Sequence, residues 1–403
     1  MNQMLSAMPR SRRQYLIHVF QRFTALIIFL FLLLAGSPAQ AEIFDDLQVG
    51  SLLEIVPVED NHLLLLDGDV YRLIDFHGNV ISAWQMAHPE MPADDAQEIV
   101  YAGAIQGQWV FCVFSYNKNQ SYCAYALPSG EMTYSEYFNA HVNGCISDED
   151  GLILLGSTFT DISEESDCMH AWIGKVNLEG NLLWENTCDA IIRKNFGSDV
   201  TFTHGFLTDT TIWTVEKLRT SDGAALRLIP YTLTGTLGEP VEVDLKEAFP
   251  EYHITSFEVR DVQYHSDGLV HLTASLQLEQ ERAIHLPVYL VFNPQGKIQN
   301  ATEYPNYRSI SGMTWMDNQG YALGLSEEYE YYIQSLENTA SRVLLTGSHE
   351  TMAIYPTETN ALQLLVNDSG QLAVAGTLFY GWIDPDPNAL PVRVLFMDEV
   401  QMK

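Results

Sequence analysis

Histidines, cysteines and carboxylates are the residues with which this chain could do chemistry, and their spacing limits the kind. It contains no His-Glu-x-x-His, no His-x-His pair and no Cys-x-x-Cys, so the common short metal motifs are missing. No Gly-x-Ser-x-Gly is present to expose a nucleophilic serine. Asp384-Pro385-Asp386-Pro387-Asn388 sets oxygen ligands at alternate positions, as calcium loops do. It lacks the turn glycine and the distal glutamate, and two prolines stiffen it, so it reads as a solvated loop. Asp148-Glu149-Asp150 and Asp67-Gly68-Asp69 read as turn chemistry. His141 and Cys145 are four residues apart, about 13 Å in an extended strand, too far for a thiol–imidazole pair. Glu327-Glu328-Tyr329-Glu330-Tyr331-Tyr332 could bind cations or sugars, and an exposed strand and loop explains it equally well.

The five cysteines invite pairing if the chain is exported. Cys112 and Cys123 flank a turn near Asn117-Lys118-Asn119, and Cys168 and Cys188 flank Glu179-Gly180. Opposed residues of a hairpin lie about 4.5–5.5 Å apart at Cα, within disulfide reach. The expected pairs are Cys112–Cys123 and Cys168–Cys188, with Cys145 free and buried in an inner strand. The alternative is buried thiols that never pair.

The elements that must position these residues are strands. Asp150-Gly151 turns the chain into the run Leu152–Thr158. After a polar loop, Ala171–Val176 alternates as a half-buried strand, and Glu179-Gly180-Asn181 turns it into Leu182-Leu183-Trp184. The plan recurs with anchors near residues 62, 109, 151, 211, 268, 320 and 370. Seven units of about four strands, roughly 50 residues apart, match the four-stranded blades of a β-propeller. A β-sandwich or solenoid is the competing fold and does not explain this turn spacing. Val243–Phe249 could form one short helical turn. The last unit supplies three strands, and Ile43–Val49 could be its fourth, joining the chain ends and removing an open edge.

Ala171-Trp172-Ile173-Gly174-Lys175-Val176-Asn177-Leu178-Glu179-Gly180-Asn181-Leu182-Leu183-Trp184 resembles a blade of secreted bacterial propellers with quinoprotein-like, WD40-like repeats. Val70 to Trp84 is similar. The resemblance implies fold and not activity. The cofactor-binding residues of quinoprotein dehydrogenases have no matching pattern, and no other cofactor is identified. The sialidase-type box fails too, with Glu149 and Leu154 where Asp and Trp would stand.

Residues 1–41 read as a cleavable signal peptide: Arg10, Arg12, Arg13 and Arg22, an apolar run from Ala25 to Leu34, then Ala39-Gln40-Ala41 as the cleavage site, with Ala39 and Ala41 the small residues. The apolar run is roughly 12 residues, short of the ~20 a spanning helix needs. Arg12-Arg13 also resembles a twin-arginine export signal. Ser37 stands where a lipoprotein would carry its lipidated cysteine. The exported part, residues 42–403, is expected to be a single domain, extracytoplasmic, soluble and monomeric. Without the leader's four arginines, 16 Lys and Arg face 52 Asp and Glu, a net charge of −36. That balance argues against nucleic acid and anionic membranes as partners, and the 47% apolar fraction excludes disorder.

Aligning the repeats on their turns places Ala102, Gly144, His204, Asp261, Met313 and Gln363 at one inner-strand position. His204, Arg260 and Asp261 are the polar exceptions and the candidate ligand-binding residues, with a hydrogen-bonded structural role as the alternative. The reading is an exported, acidic, non-catalytic binding or interaction protein for an unknown protein, glycan or small molecule. The alternatives are a hydrolase or lyase acting on glycans or peptides through a dispersed channel-mouth site, and an envelope scaffold.

Overall fold

The structure, a computed structural model, describes residues 42–399 apart from several stretches, the longest being 188–201, 345–362 and 380–392. The leader with Ala39 and Ala41, the side chain of Cys168, all of Cys188, and the loop at 384–388 lie outside the described residues, as do Tyr329 and Glu330 of the acidic aromatic segment.

The architecture is all-β. Strands β2 to β5 (Leu52–Val58, His62–Asp67, Val70–Asp75, Val80–Gln85) pair in sequence order as one antiparallel sheet. So do β6 to β9 (Gln97–Ile105, Gln108–Ser115, Gln120–Ala126, Met132–Tyr134) and β10 to β13 (His141–Asp148, Gly151–Thr160, Cys168–Asn177, Leu182–Thr187). Three more follow: β14 to β17 (His204–Leu207, Thr211–Thr220, Gly223–Thr232, Val241–Val243), β18 to β21 (Ile254–Tyr264, Val270–Leu278, Ile284–Phe292, Ile298–Glu303) and β22 to β25 (Tyr307–Met316, Gln319–Ser326, Tyr331–Ser335, Arg342–Leu344). The last sheet joins β26 to β28 (Gln363–Val366, Leu372–Phe379, Arg393–Glu399) to β1 (Glu42–Val49), which pairs antiparallel with β28.

The described side chains build five full blades, β6 to β25, where the turn spacing led us to expect seven. Two further four-stranded sheets, β2 to β5 and β26 to β28 with β1, share the same antiparallel pairing.

The core lies between blades. In β11, Leu152 and Leu154 pack with Val110, Tyr125 and Val142 on one side. Ile153 and Leu155 pack with Ile212, Ile229 and Tyr231 on the other. Successive side chains of a strand point to opposite faces, so a strand buried on both needs an unbroken apolar run. That is why Leu152–Leu155 does not alternate with polar residues. The same packing links β14–β17 to β18–β21, and β18–β21 to β22–β25.

Turns follow a local rule. At Asn177, Thr232, His265 and Asn293 the first residue's N–H donates to the carbonyl four residues on, and the fourth residue is a glycine with positive φ. One short helix, α1 (Leu245–Ala248), is capped by Asp244, whose carboxylate accepts the N–H groups of Lys246 and Glu247. No described helix is long and apolar enough to cross a membrane.

Candidate functional site

The six aligned positions all fall on innermost strands: Ala102 on β6, Gly144 on β10, His204 on β14, Asp261 on β18, Met313 on β22 and Gln363 on β26. Two of the three polar candidates meet there. The His204 imidazole hydrogen-bonds the Arg260 backbone, and burial lowers its pKa. The Arg260 guanidinium turns to Glu258 at 2.9 Å and remains exposed. Asp261 goes the other way. Its Oδ2 accepts the Met313 N–H at 2.8 Å, beside an irregularity in β22 between Ser311 and Thr314. Gln263 Nε2 donates to the Met313 carbonyl at 2.9 Å. Asp261 and Gln263 thus tie one blade's inner strand to the next.

The cysteines differ from expectation. Cys112 and Cys123 are opposed across β7 and β8, yet both thiols are free, as is Cys145. The backbone N–H and C=O of Cys123 bond Ser135, so the opposed pair exchanges no backbone hydrogen bonds and its geometry alone does not forbid a disulfide. Sequence spacing missed the third thiol: Cys112 interacts with both Cys123 and Cys145 in one apolar seam. The Cys123 hydrogen bond pulls the Cys112 pKa down, but Cys145 and burial together hold it well up, while burial first and then Cys112 raise that of Cys123. Such groups are mostly un-ionised and slow to exchange. Cys145 lies on an inner strand, β10, as expected, but is half-buried where full burial was expected. His141 stacks on Phe114 with ring centroids 3.9 Å apart, away from any thiol partnership.

A pocket of about 410 Å³ opens between two blades, lined by His265, Ser266, Asp267, His271, Trp315, Asn318 and Glu337. Its parts come from the β18–β19 turn, the start of β19, the β22–β23 hairpin and the segment after β24. Asp317 and Asn318 both take left-handed φ angles, as a two-residue hairpin turn requires, and this presents Asn318 and Trp315 to the pocket. Trp315 stacks on His265 at 5.2 Å and meets His271 edge-on at 5.1 Å. His271 is buried on β19. Its Nδ1 lies 2.6 Å from the Tyr289 hydroxyl and its Nε2 3.3 Å from Asp267 Oδ2. Burial lowers the His271 pKa against the opposing pull of Asp267, which favours the neutral imidazole. Asp267 Oδ1 accepts the Leu269 N–H at 2.9 Å, and the Glu337 carboxylate accepts the Gly320 N–H.

The sequence reading missed this site because His-x-Asp-x-x-x-His matches no short metal motif and Asp267-Gly268 reads as a turn. A signal was nevertheless present. At the equivalent turns Asn177, Asn293 and Thr232 use their side chains to accept a backbone N–H of the turn. Position 265 carries a histidine instead, and Asp267 does the accepting.

No protein-family model matches the sequence, and no curated relative matches it. Among solved structures the fold is similar to the Pan2 WD40 domain of Neurospora crassa, at TM-score 0.51 and 9% identity, covering 87% of this chain and 90% of that one. It is equally similar to the polysaccharide lyase Uly1, at TM-score 0.51 and 10% identity, covering 87% and 90%. These likenesses define the class: the chain is a β-propeller with WD40-like neighbours. One neighbour is a WD40 domain and the other a lyase, so the fold carries no activity with it.

Proposed function

We propose that this is an exported, acidic, non-catalytic binding protein. Its recognition site is the pocket formed by His265, Asp267, His271, Trp315, Asn318 and Glu337. β1 completes the last sheet of the propeller, and residues 1–41 are the leader that is removed. His204 and Arg260 are read as part of the polar channel wall, and Asp261 as a latch between blades.

The observation that carries this reading is the pocket itself: two imidazoles, an indole and two carboxylates converge there from two different blades. An aromatic wall with a few convergent polar groups is how proteins hold small ligands and sugars. Both carboxylates already hold backbone N–H groups, Asp267 that of Leu269 in its own turn and Glu337 that of Gly320 on the neighbouring strand β23. That favours a positioning and binding role over an acid/base pair. The class of ligand that fits is a small polar molecule or glycan.

Intrinsic fluorescence, titrated with a panel of neutral oligosaccharides and small polar ligands, tests this. Saturable quenching is expected in the parent protein and should be lost in Trp315→Phe. Quenching that persists in Trp315→Phe would place binding elsewhere, and cleavage of any glycan in the panel would overturn the non-catalytic reading.

A further inference from the structure

We infer that His265, Asp267 and His271 form a three-ligand site for a divalent transition-metal ion of the zinc type, with a fourth position open to the pocket. The inference rests on the pocket assignment above and names an ion for it. One ligand atom from each residue lies within 4.8 Å of those of the other two. Tetrahedral coordination at about 2.0–2.2 Å sets ligand atoms roughly 3.3–3.6 Å apart. His271 Nε2 and Asp267 Oδ2, at 3.3 Å, already have that spacing. His265 Nδ1 is 3.9 Å from Oδ1, the other oxygen of the same carboxylate. Bringing the imidazole to the Oδ2 side takes a rotation of side chains on one turn, 24% and 44% exposed.

Three further features suit a metal. The Tyr289 hydroxyl occupies Nδ1 of His271, which aims Nε2 at the site, as outer partners of ligating histidines do. Asp267 is held by the Leu269 N–H through Oδ1, leaving Oδ2 for the ion. Trp315 packs on both imidazoles and limits their ring orientation. His265 is also the residue that the other turns replace with a capping Asn or Thr, so its imidazole is not needed to make the turn. Two imidazoles and one carboxylate suit borderline ions better than calcium or magnesium, which prefer all-oxygen sites. A ligand oxygen entering the pocket could complete the coordination.

Calorimetric titration of the purified chain with Zn²⁺ alone tests the inference, with Co²⁺ absorption reporting coordination geometry. His271→Ala removes a buried side chain and could unfold the blade, so the turn variants His265→Ala and Asp267→Asn carry the test. A single tight site with a tetrahedral Co²⁺ spectrum is expected, weakened about tenfold or more in each turn variant. Exposed His285→Ala should bind as the parent does. Absence of zinc binding, or affinity kept within twofold in both turn variants, would overturn the metal site. Zinc bound at this site by a protein that shows no quenching with any of the organic ligands would leave the ion site standing and refute the small-ligand reading. Saturable ligand quenching in a protein that binds no zinc would do the reverse.

Discussion

Asp261 offers the sharpest test of how the blades are joined. Its Oδ2 accepts the Met313 N–H at 2.8 Å, where β22 departs from regular pairing with β23 and Gly312 has φ +64°. Met313 is buried, so Asp261→Ala leaves that N–H without its acceptor. An orphaned buried donor costs about 1–3 kcal/mol. Unfolding entropy of ~2.1 cal/mol/K per residue, over roughly 360 residues, converts this to a Tm lower by about 1–4 °C. Asp261→Asn keeps an acceptor oxygen in place. Burial is the main force raising the Asp261 pKa, so the charged form carries a desolvation cost that asparagine escapes. The asparagine variant should therefore lie within about 1 kcal/mol of the parent. Differential scanning calorimetry at neutral pH separates the two. Equal losses in both variants, or no loss in the alanine variant, would refute the latch.

Glu216 and Arg227 form a buried ion pair across β15 and β16. Arg227→Met should cost about 3–5 kcal/mol by stranding the carboxylate, and adding Glu216→Leu should recover most of it, as read by denaturant midpoints. Differential alkylation with peptide mapping should find Cys112 and Cys123 unpaired, and reactive only after denaturation. Recovery of a linked Cys112–Cys123 peptide would contradict the free thiols. Because burial lowers the His204 pKa, the fold favours its neutral form. Its contribution to stability is then present above about pH 6.5 and is lost as pH falls through the lowered folded value. Tm measured between pH 7.5 and 5.5 should fall less in His204→Asn than in the parent, and an unchanged slope would count against the assignment.

Much of the scaffold was legible in local sequence. Leu152–Leu155 shows a strand buried on both faces, and Gly180, Gly268 and Gly296 mark turns. Val243–Phe249 contains the short helix at Leu245–Ala248. The strand expected at Ile43–Val49 is β1, paired with β28. Each follows from contiguous residues, since turn chemistry and side-chain alternation act over a few positions. The candidate site was less legible. His204, Arg260 and Asp261 were found by aligning repeats, but that alignment could not reveal that Asp261 serves the neighbouring blade. The Cys112–Cys123 pairing rested on hairpin spacing, which carries no information about Cys145 on the next blade.

The sequence by itself determined a propeller-like array of four-stranded repeats, a strong excess of acidic over basic residues and the lack of short catalytic motifs. Only the tertiary structure decided that His265, Asp267 and His271 share a pocket with Trp315 and Glu337. These groups come from repeats about 50 residues apart, and a turn dictates its own shape but not the turn it faces. That choice is made by the apolar seam between blades, where Tyr289 and Val291 of one sheet pack on Ile310, Met313 and Ala322 of the next. The seam sets the angle and distance between neighbouring blades, and with them which side chains meet across the gap.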